Sequence, residues 1–159
     1  MSCLLRPLVV ADEPFLWEML YQALHVPAGA VAPPPAVVRR PELARYVQGW
    51  GRAGDGGWLA RDAATGRPVG AVWRRLLMGE NQGYGHVSDD TPELSMAVLP
   101  GHRGLGTGTR LLSRLLAAED CPALSLSVAA GNPARRLYRR FGFIVVKQAG
   151  ASLTMLRTP

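Results

Sequence analysis

Cysteine, lysine and long hydrophobic runs are what this sequence has least of. Only Cys3 and Cys121 occur, with no CxxC spacing, so neither a disulfide framework nor a thiolate metal site is expected. His25, His86 and His102 show no metal-ligand spacing either, and no metal is expected. No stretch approaches the ~18 apolar residues of a membrane-spanning helix. The opening MSCLLRPLVVADEP meets acidic residues and proline too soon for a secretory signal. The expectation is a soluble, cytoplasmic protein with reduced thiols and no membrane partner. Of the 18 basic residues Lys147 alone is lysine, and the other 17 are arginine.

What is present is a chain of 159 residues, the size of one domain spanning 1–159, with no repeat, low-complexity tail or linker to divide it. Its formal charge of +6 points to a polyanion: nucleic acid, an acidic membrane face or a phosphorylated small molecule. The same arginines, with 18 Gly and 13 Pro, also fit the composition of a GC-rich genome. Neither a helix-turn-helix cue nor a basic-aromatic RNA signature occurs, so nucleic acid is not the expected partner.

Periodicity divides the chain into strands and helices. Residues 4–10 read as a strand. Asp12 is placed to cap a helix over 12–25, with Pro14 in its first turn and Phe15, Leu16, Met19, Leu20, Ala23 and Leu24 at helical spacing. The proline-rich run 26–35 ends it, and Pro41 opens a short second helix through Leu43, Ala44 and Val47. Residues 57–61 and 68–78 form a hairpin around Ala64-Thr65-Gly66. A polar loop over 79–91 leads to a strand at 93–98. A helix over 104–118 carries Leu105, Leu112, Leu115 and Leu116, and a strand follows at 123–128. Asn132 caps a helix that Gly142 ends. Residues 143–147 and 152–156 close the chain as a hairpin. The strand–helix–strand unit over 93–128 requires its two strands to run parallel.

The sharpest motif is Val98-Leu99-Pro100-Gly101-His102-Arg103-Gly104-Leu105-Gly106-Thr107-Gly108, between a strand and a helix. Glycines let the backbone turn tightly, and the helix N-terminus offers unpaired N–H groups and a dipole that favour an anion such as phosphate. Arg103 adds a charge. A phosphate loop ending in Gly-Lys-Ser/Thr is excluded because no lysine is present. A GxGxxG fingerprint fails because Thr109 and Leu111 stand where its last glycine belongs.

Arg103-x-x-Gly106-x-Gly108, preceded by Val98-Leu99-Pro100 and followed by Leu111-Leu112, resembles the acyl-CoA-binding motif of the GNAT superfamily of N-acetyltransferases. Leu126-Ser127-Val128, then Asn132-Pro133-Ala134-Arg135-Arg136-Leu137-Tyr138 with Gly142-Phe143, is similar to that family's second signature. Leu5-Arg6-Pro7 followed by an Ala-Asp-led helix resembles its first strand and helix. The resemblance implies an α/β fold with a mixed sheet and the order β-α-α-β-β-β-α-β-α-β-β. It implies acetyl-CoA as co-substrate and a small-molecule or peptide amine as acceptor. A homodimer is left open.

Carried over residue by residue, the backbone of Arg103, Gly104, Leu105, Gly106, Thr107 and Gly108 holds the CoA pyrophosphate. Met96 and Val98 hold the pantetheine arm, and an N–H there polarises the thioester carbonyl. Asn132 touches the pantetheine or simply caps its helix. It stands six residues before Tyr138, where many members have seven. Tyr138 resembles the general acid that protonates the departing thiolate, against a plain packing role beside Leu137 and Phe141. Arg135 is the arginine favoured for the 3′-phosphate. Glu93 resembles the family's base, but strict alternation puts it with Ser95 and Ala97, opposite Met96 and Val98, so a β-bulge is expected if it faces the cofactor. His86, Asp89 and Asp90 stand in reserve, and the fifth strand offers only Ser125 and Ser127. Trp17, Tyr21 and the loops 26–35 and 79–91 are expected on the acceptor side. The rival reading is a CoA-binding regulatory module without turnover.

Overall fold

A computed structural model describes residues 2–118 and 120–159. The elements are β1 (Cys3–Pro7), α1 (Glu13–Gln22), α2 (Pro41–Ala44), β2 (Gly56–Asp62), β3 (Pro68–Arg75), β4 (Glu93–Val98), α3 (Thr107–Leu116), β5 (Leu124–Ala129), α4 (Ala134–Arg140), β6 (Ile144–Ala149) and β7 (Ser152–Arg157). Their order is the one the sequence implies. They build one seven-stranded sheet, ordered β1-β2-β3-β4-β5-β7-β6. β4 and β5 run parallel and every other neighbouring pair is antiparallel. The mixed α/β sheet is thus as expected. No helix among the described residues is long and apolar enough to cross a membrane.

Alternation along the strands gives the sheet two apolar faces. On one, Leu16, Met19 and Leu20 of α1 join Val47 and Trp50 over Ala71, Trp73 and Ala97. On the other, Leu111, Leu112 and Leu115 of α3 and Tyr138 of α4 cover Val72, Leu94, Leu124 and Leu126. Each fully buried leucine contributes about 1.5–3 kcal/mol, so the three from α3 alone fix that helix firmly.

Three local expectations change. Leu105 lies outside α3 and is half exposed, because left-handed Gly104 (φ 75°) and Gly106 (φ 84°) hold the chain out of the helix until Thr107. Asp12 makes no side-chain cap to α1. Its carboxylate instead accepts both Arg6 guanidinium N–H groups at 2.8 Å and the Val9 N–H at 2.8 Å. β3 stops at Arg75 rather than Met78, because Arg75 pairs with Glu93, where β4 begins.

Candidate functional site

The central feature is a parting of the sheet. β4 and β5 are six residues each, yet they pair only at Glu93 and Ser125, with Ser125 N–H donating to the Pro92 carbonyl at 3.0 Å. Beyond that pair they diverge towards their C-terminal ends. In an antiparallel ladder, residues alternate between bonding the partner and presenting both N–H and C=O to the opposite edge. Leu99 N–H bonds back to Val69, so alternation turns the backbone groups of Met96 and Val98 towards the cleft. By the same alternation, Ala130 bonds β7-side Ala151 and Ser127 presents its backbone to the cleft. The cleft therefore has a backbone edge ready to receive an extended ligand.

At the mouth of the cleft lies the glycine-rich turn. Among the described residues, the N–H groups of Arg103, Gly104, Leu105, Gly106, Thr107 and Gly108 donate to no acceptor in the protein. Gly106 is the left-handed N-cap of α3, and no side chain caps this helix. Six successive free donors at a ten-residue helix suit an anion. Arg103 does not point its charge freely outward: its Nε donates to the Val98 carbonyl at 2.8 Å, and its NH2 group reaches Gln22 Oε1 at 3.3 Å. It fastens the turn to the end of β4 and to α1.

The opposite wall comes from the β5–α4 connection and α4. Ala130, Gly131, Asn132, Pro133, Arg135 and Arg136 line a concavity there. Asn132 Oδ1 accepts the Ala134 N–H at 3.0 Å, one residue ahead of the helix cap Pro133. Tyr138 is buried on the α3/α4 face, edge-on to Phe143 with ring centroids 5.7 Å apart. Its hydroxyl makes no hydrogen bond within the described residues, and burial pushes its pKa well above a phenol's ordinary value. It is therefore a protonated donor. Met96 and Leu137 both pack against the first turn of α3, 3.6 and 3.7 Å from the position a Gly108 Cβ would take.

Glu93 lies on the other face. β4 keeps an unbroken register with β3 from Glu93 to Val98, so the bulge that would bring Glu93 beside Met96 and Val98 does not form. The carboxylate is 2% exposed and held by three donors. Tyr46 O–H reaches Oε1 at 3.0 Å, Gly85 N–H reaches Oε1 at 2.9 Å and Gly83 N–H reaches Oε2 at 2.9 Å. Burial first, and then the Glu93 charge, raise the Tyr46 pKa, so its hydroxyl stays protonated. That hydroxyl also accepts the Tyr84 N–H at 2.7 Å. The polar loop is thus strapped across the closed end of the cleft. Gly85 must be glycine, since a Cβ there would sit 2.6 Å from the Leu126 carbonyl carbon and 2.8 Å from Ser127 N.

Tyr46, Gly83 and Gly85 escape a reading of the sequence. Tyr46 stands among Leu43, Ala44 and Val47 and passes for core. The glycines flanking Tyr84 are its one visible signal. Beside this strap, Ser125 Oγ is fully buried and has no hydrogen-bond partner among the described residues. His86 Nε2 lies 2.9 Å from Asp89 Oδ1, and Ser88 bonds Asp90. On α1, Trp17 is packed in the core under the Arg39 guanidinium, 3.8 Å from its ring centroid, while Tyr21 O–H ties down the proline-rich loop at the Pro33 carbonyl, 2.7 Å away.

The sheet, the parted strands and the free amides before α3 define an acyltransferase fold. The acetyltransferase (GNAT) domain profile matches residues 54–145, more than half of the chain. The chain belongs to the GNAT acetyltransferase family. A GnaT-family acetyltransferase from Bordetella pertussis is 25% identical with a TM-score of 0.66, covering 99% of this chain and 100% of that one. Histone acetyltransferase HPA2 and related acetyltransferase from Corynebacterium glutamicum is 21% identical with a TM-score of 0.66, covering 100% and 97%. PaiA N-acetyltransferase from Thermoplasma acidophilum, solved in complex with coenzyme A, is 15% identical with a TM-score of 0.66 and covers 100% of both chains. No curated protein matches the chain.

Proposed function

We propose that this protein is an acetyl-CoA-dependent N-acetyltransferase in which a small-molecule or peptide amine attacks the thioester directly. The supporting observation is the meeting of two backbone arrays open to the cleft. One is the β4 edge at Met96 and the Val98 N–H, the Val98 carbonyl being held by Arg103, and the other is the amides of residues 103–108. Together they fit an extended arm that ends in a pyrophosphate. Acetyl-CoA, when bound, supplies an acetyl group activated as a thioester.

The amides of Arg103 to Gly108 hold the pyrophosphate, and Met96 and Val98 bind the pantetheine arm. An N–H of this β4 edge stabilises charge developing on the carbonyl oxygen. Asn132 and Arg135 hold the cofactor from the far wall, with Arg135 offered to the 3′-phosphate. Tyr138 gives its proton to the departing thiolate. Glu93 lies on the face the acceptor approaches. It acts there as a buried negative charge that draws the ammonium group in and fixes the loop above it.

Tyr138→Phe tests this reading. Turnover, followed as thiol release with spermidine, an alanine-led pentapeptide and kanamycin, should fall about 100-fold. Acetyl-CoA affinity by calorimetry should stay within about twofold, since the substitution removes only a proton donor. Unchanged turnover would remove Tyr138 as the acid. The occupied carboxylate of Glu93 favours a second reading, a CoA-binding module without turnover. Acetyl-CoA binding without thiol release from any amine would establish it.

A further inference from the structure

We propose that His86, oriented by Asp89, takes the proton from the acceptor's ammonium group; the inference rests on the acetyltransferase reading above. An amine arrives protonated near neutrality, and its lone pair must be freed before it can attack. Glu93 is poorly placed to free it. Three of the roughly four lone-pair sites of a carboxylate are already filled, by Tyr46, Gly83 and Gly85. Protonating it would loosen the strap that closes the cleft.

His86 follows directly on Gly85, the residue seated against Leu126 and Ser127 of β5. Gly85 N–H also bonds Glu93, so the loop brings the backbone leading into His86 to the Glu93 face of the sheet, where the strands begin to part. Its Nε2 lies 2.9 Å from Asp89 Oδ1, and an ionised carboxylate only accepts hydrogen bonds. Nε2 therefore carries the proton of the neutral ring, and Nδ1 keeps the lone pair. The His86 side chain is 20% exposed, enough to pass a captured proton to water. The other titratable or charged groups about this loop are Glu80, Tyr84 and Asp90 within it, Glu93 from β4, and Tyr46 and Arg45 from the α2 segment. Arg45 is committed to the Glu80 and Gln82 carbonyls. β5 brings only the hydroxyls of Ser125 and Ser127.

His86 Nδ1 takes one proton from the ammonium group, and the freed nitrogen lone pair forms the N–C bond. The C–S bond breaks with its electron pair on sulfur, which receives the Tyr138 proton. Tyr138 is made whole by the second proton that the nitrogen sheds. His86 returns its proton to solvent, so one proton is released per amide formed.

The test compares the unsubstituted protein with His86→Gln and Asp89→Asn across roughly pH 6 to 9, following thiol release with whichever alkylamine of the panel is turned over. For His86→Gln we expect turnover about 100-fold lower at the acidic end, recovering as rising pH frees the amine without help. Hydroxylamine, a small nucleophile already neutral at about pH 7, should react nearly as fast with the variant as with the parent. Acetyl-CoA affinity by calorimetry should be unchanged. The ring ¹⁵N shifts of His86 should report an Nε2-protonated tautomer in the parent and a mixture in Asp89→Asn. Equal slowing at every pH, or an unchanged pH profile, overturns the assignment of His86 and leaves the acetyltransferase reading standing. No turnover by the parent with any amine overturns both.

Discussion

Single side chains in this protein divide by which form of the group the fold selects. Tyr138 and Tyr46 are both kept protonated by burial, but Tyr46 spends its proton on Glu93 while Tyr138 keeps its own uncommitted. Only the second suits a proton donor. Asp12 is selected in the opposite sense: the Arg6 guanidinium, set against partial burial, holds its carboxyl below the ordinary range. A carboxyl depressed on folding adds stability above its unfolded pKa of about 3.9, and that contribution is lost as pH falls through the folded value. Asp12→Asn should therefore cost about 1 kcal/mol at neutral pH, a modest figure because Arg6 is 40% exposed. Denaturant melts at stepped pH check this. The deficit should shrink as the medium becomes acidic, and a constant deficit would refute it.

Among the elements, the turn before α3 shows what glycines at neighbouring positions do for different reasons. A Cβ at Gly106 would meet nothing within 4 Å, but its φ of 84° lies in the left-handed region. Gly106→Ala should then lose about 1 kcal/mol through backbone strain alone. Gly106→Glu should lose a similar amount while abolishing acetyl-CoA binding, because it sets an anion among the donors meant for phosphate. Thermal melts with and without acetyl-CoA separate the two effects, and a normal ligand-induced rise for the Glu variant would defeat the cofactor assignment. This turn was the part of the site most legible in the sequence, since its function lies in consecutive backbone groups. The loop over 79–91 was legible only as polar. Its meaning depends on Tyr46 and Glu93, 47 positions apart, and no local pattern joins them. Leu105 failed for a related reason: its spacing fits α3, and only the conformations of Gly104 and Gly106 exclude it.

On the scale of the whole molecule, the order of elements and the parallel β4–β5 relation followed from the sequence, because crossover chirality and strand patterning leave few arrangements. The parting of those strands did not. Nothing in Glu93 to Val98 or Leu124 to Ala129 announces that pairing ceases after the first residues. A seam fastened at Glu93 and Ser125 also decides where the fold can breathe. The strands β1 to β4 and β5 to β7 each have ladders of their own, with a bulge at Ala60/Arg61 and another at Val145/Lys147. The core under α3 joins the two sets, so local opening is expected along the seam between them. A ligand bonding along the seam ties the motions of the two sets together. Amide hydrogen exchange at Met96 and Val98 should be fast in the free protein and slow with acetyl-CoA. Protection should spread into β5 although the ligand alters no covalent link between the halves. Protection confined to the 103–108 turn would show that the seam is not where the arm lies. Seen so, the gap in the sheet is what lets occupancy of one site set the rigidity of the whole domain.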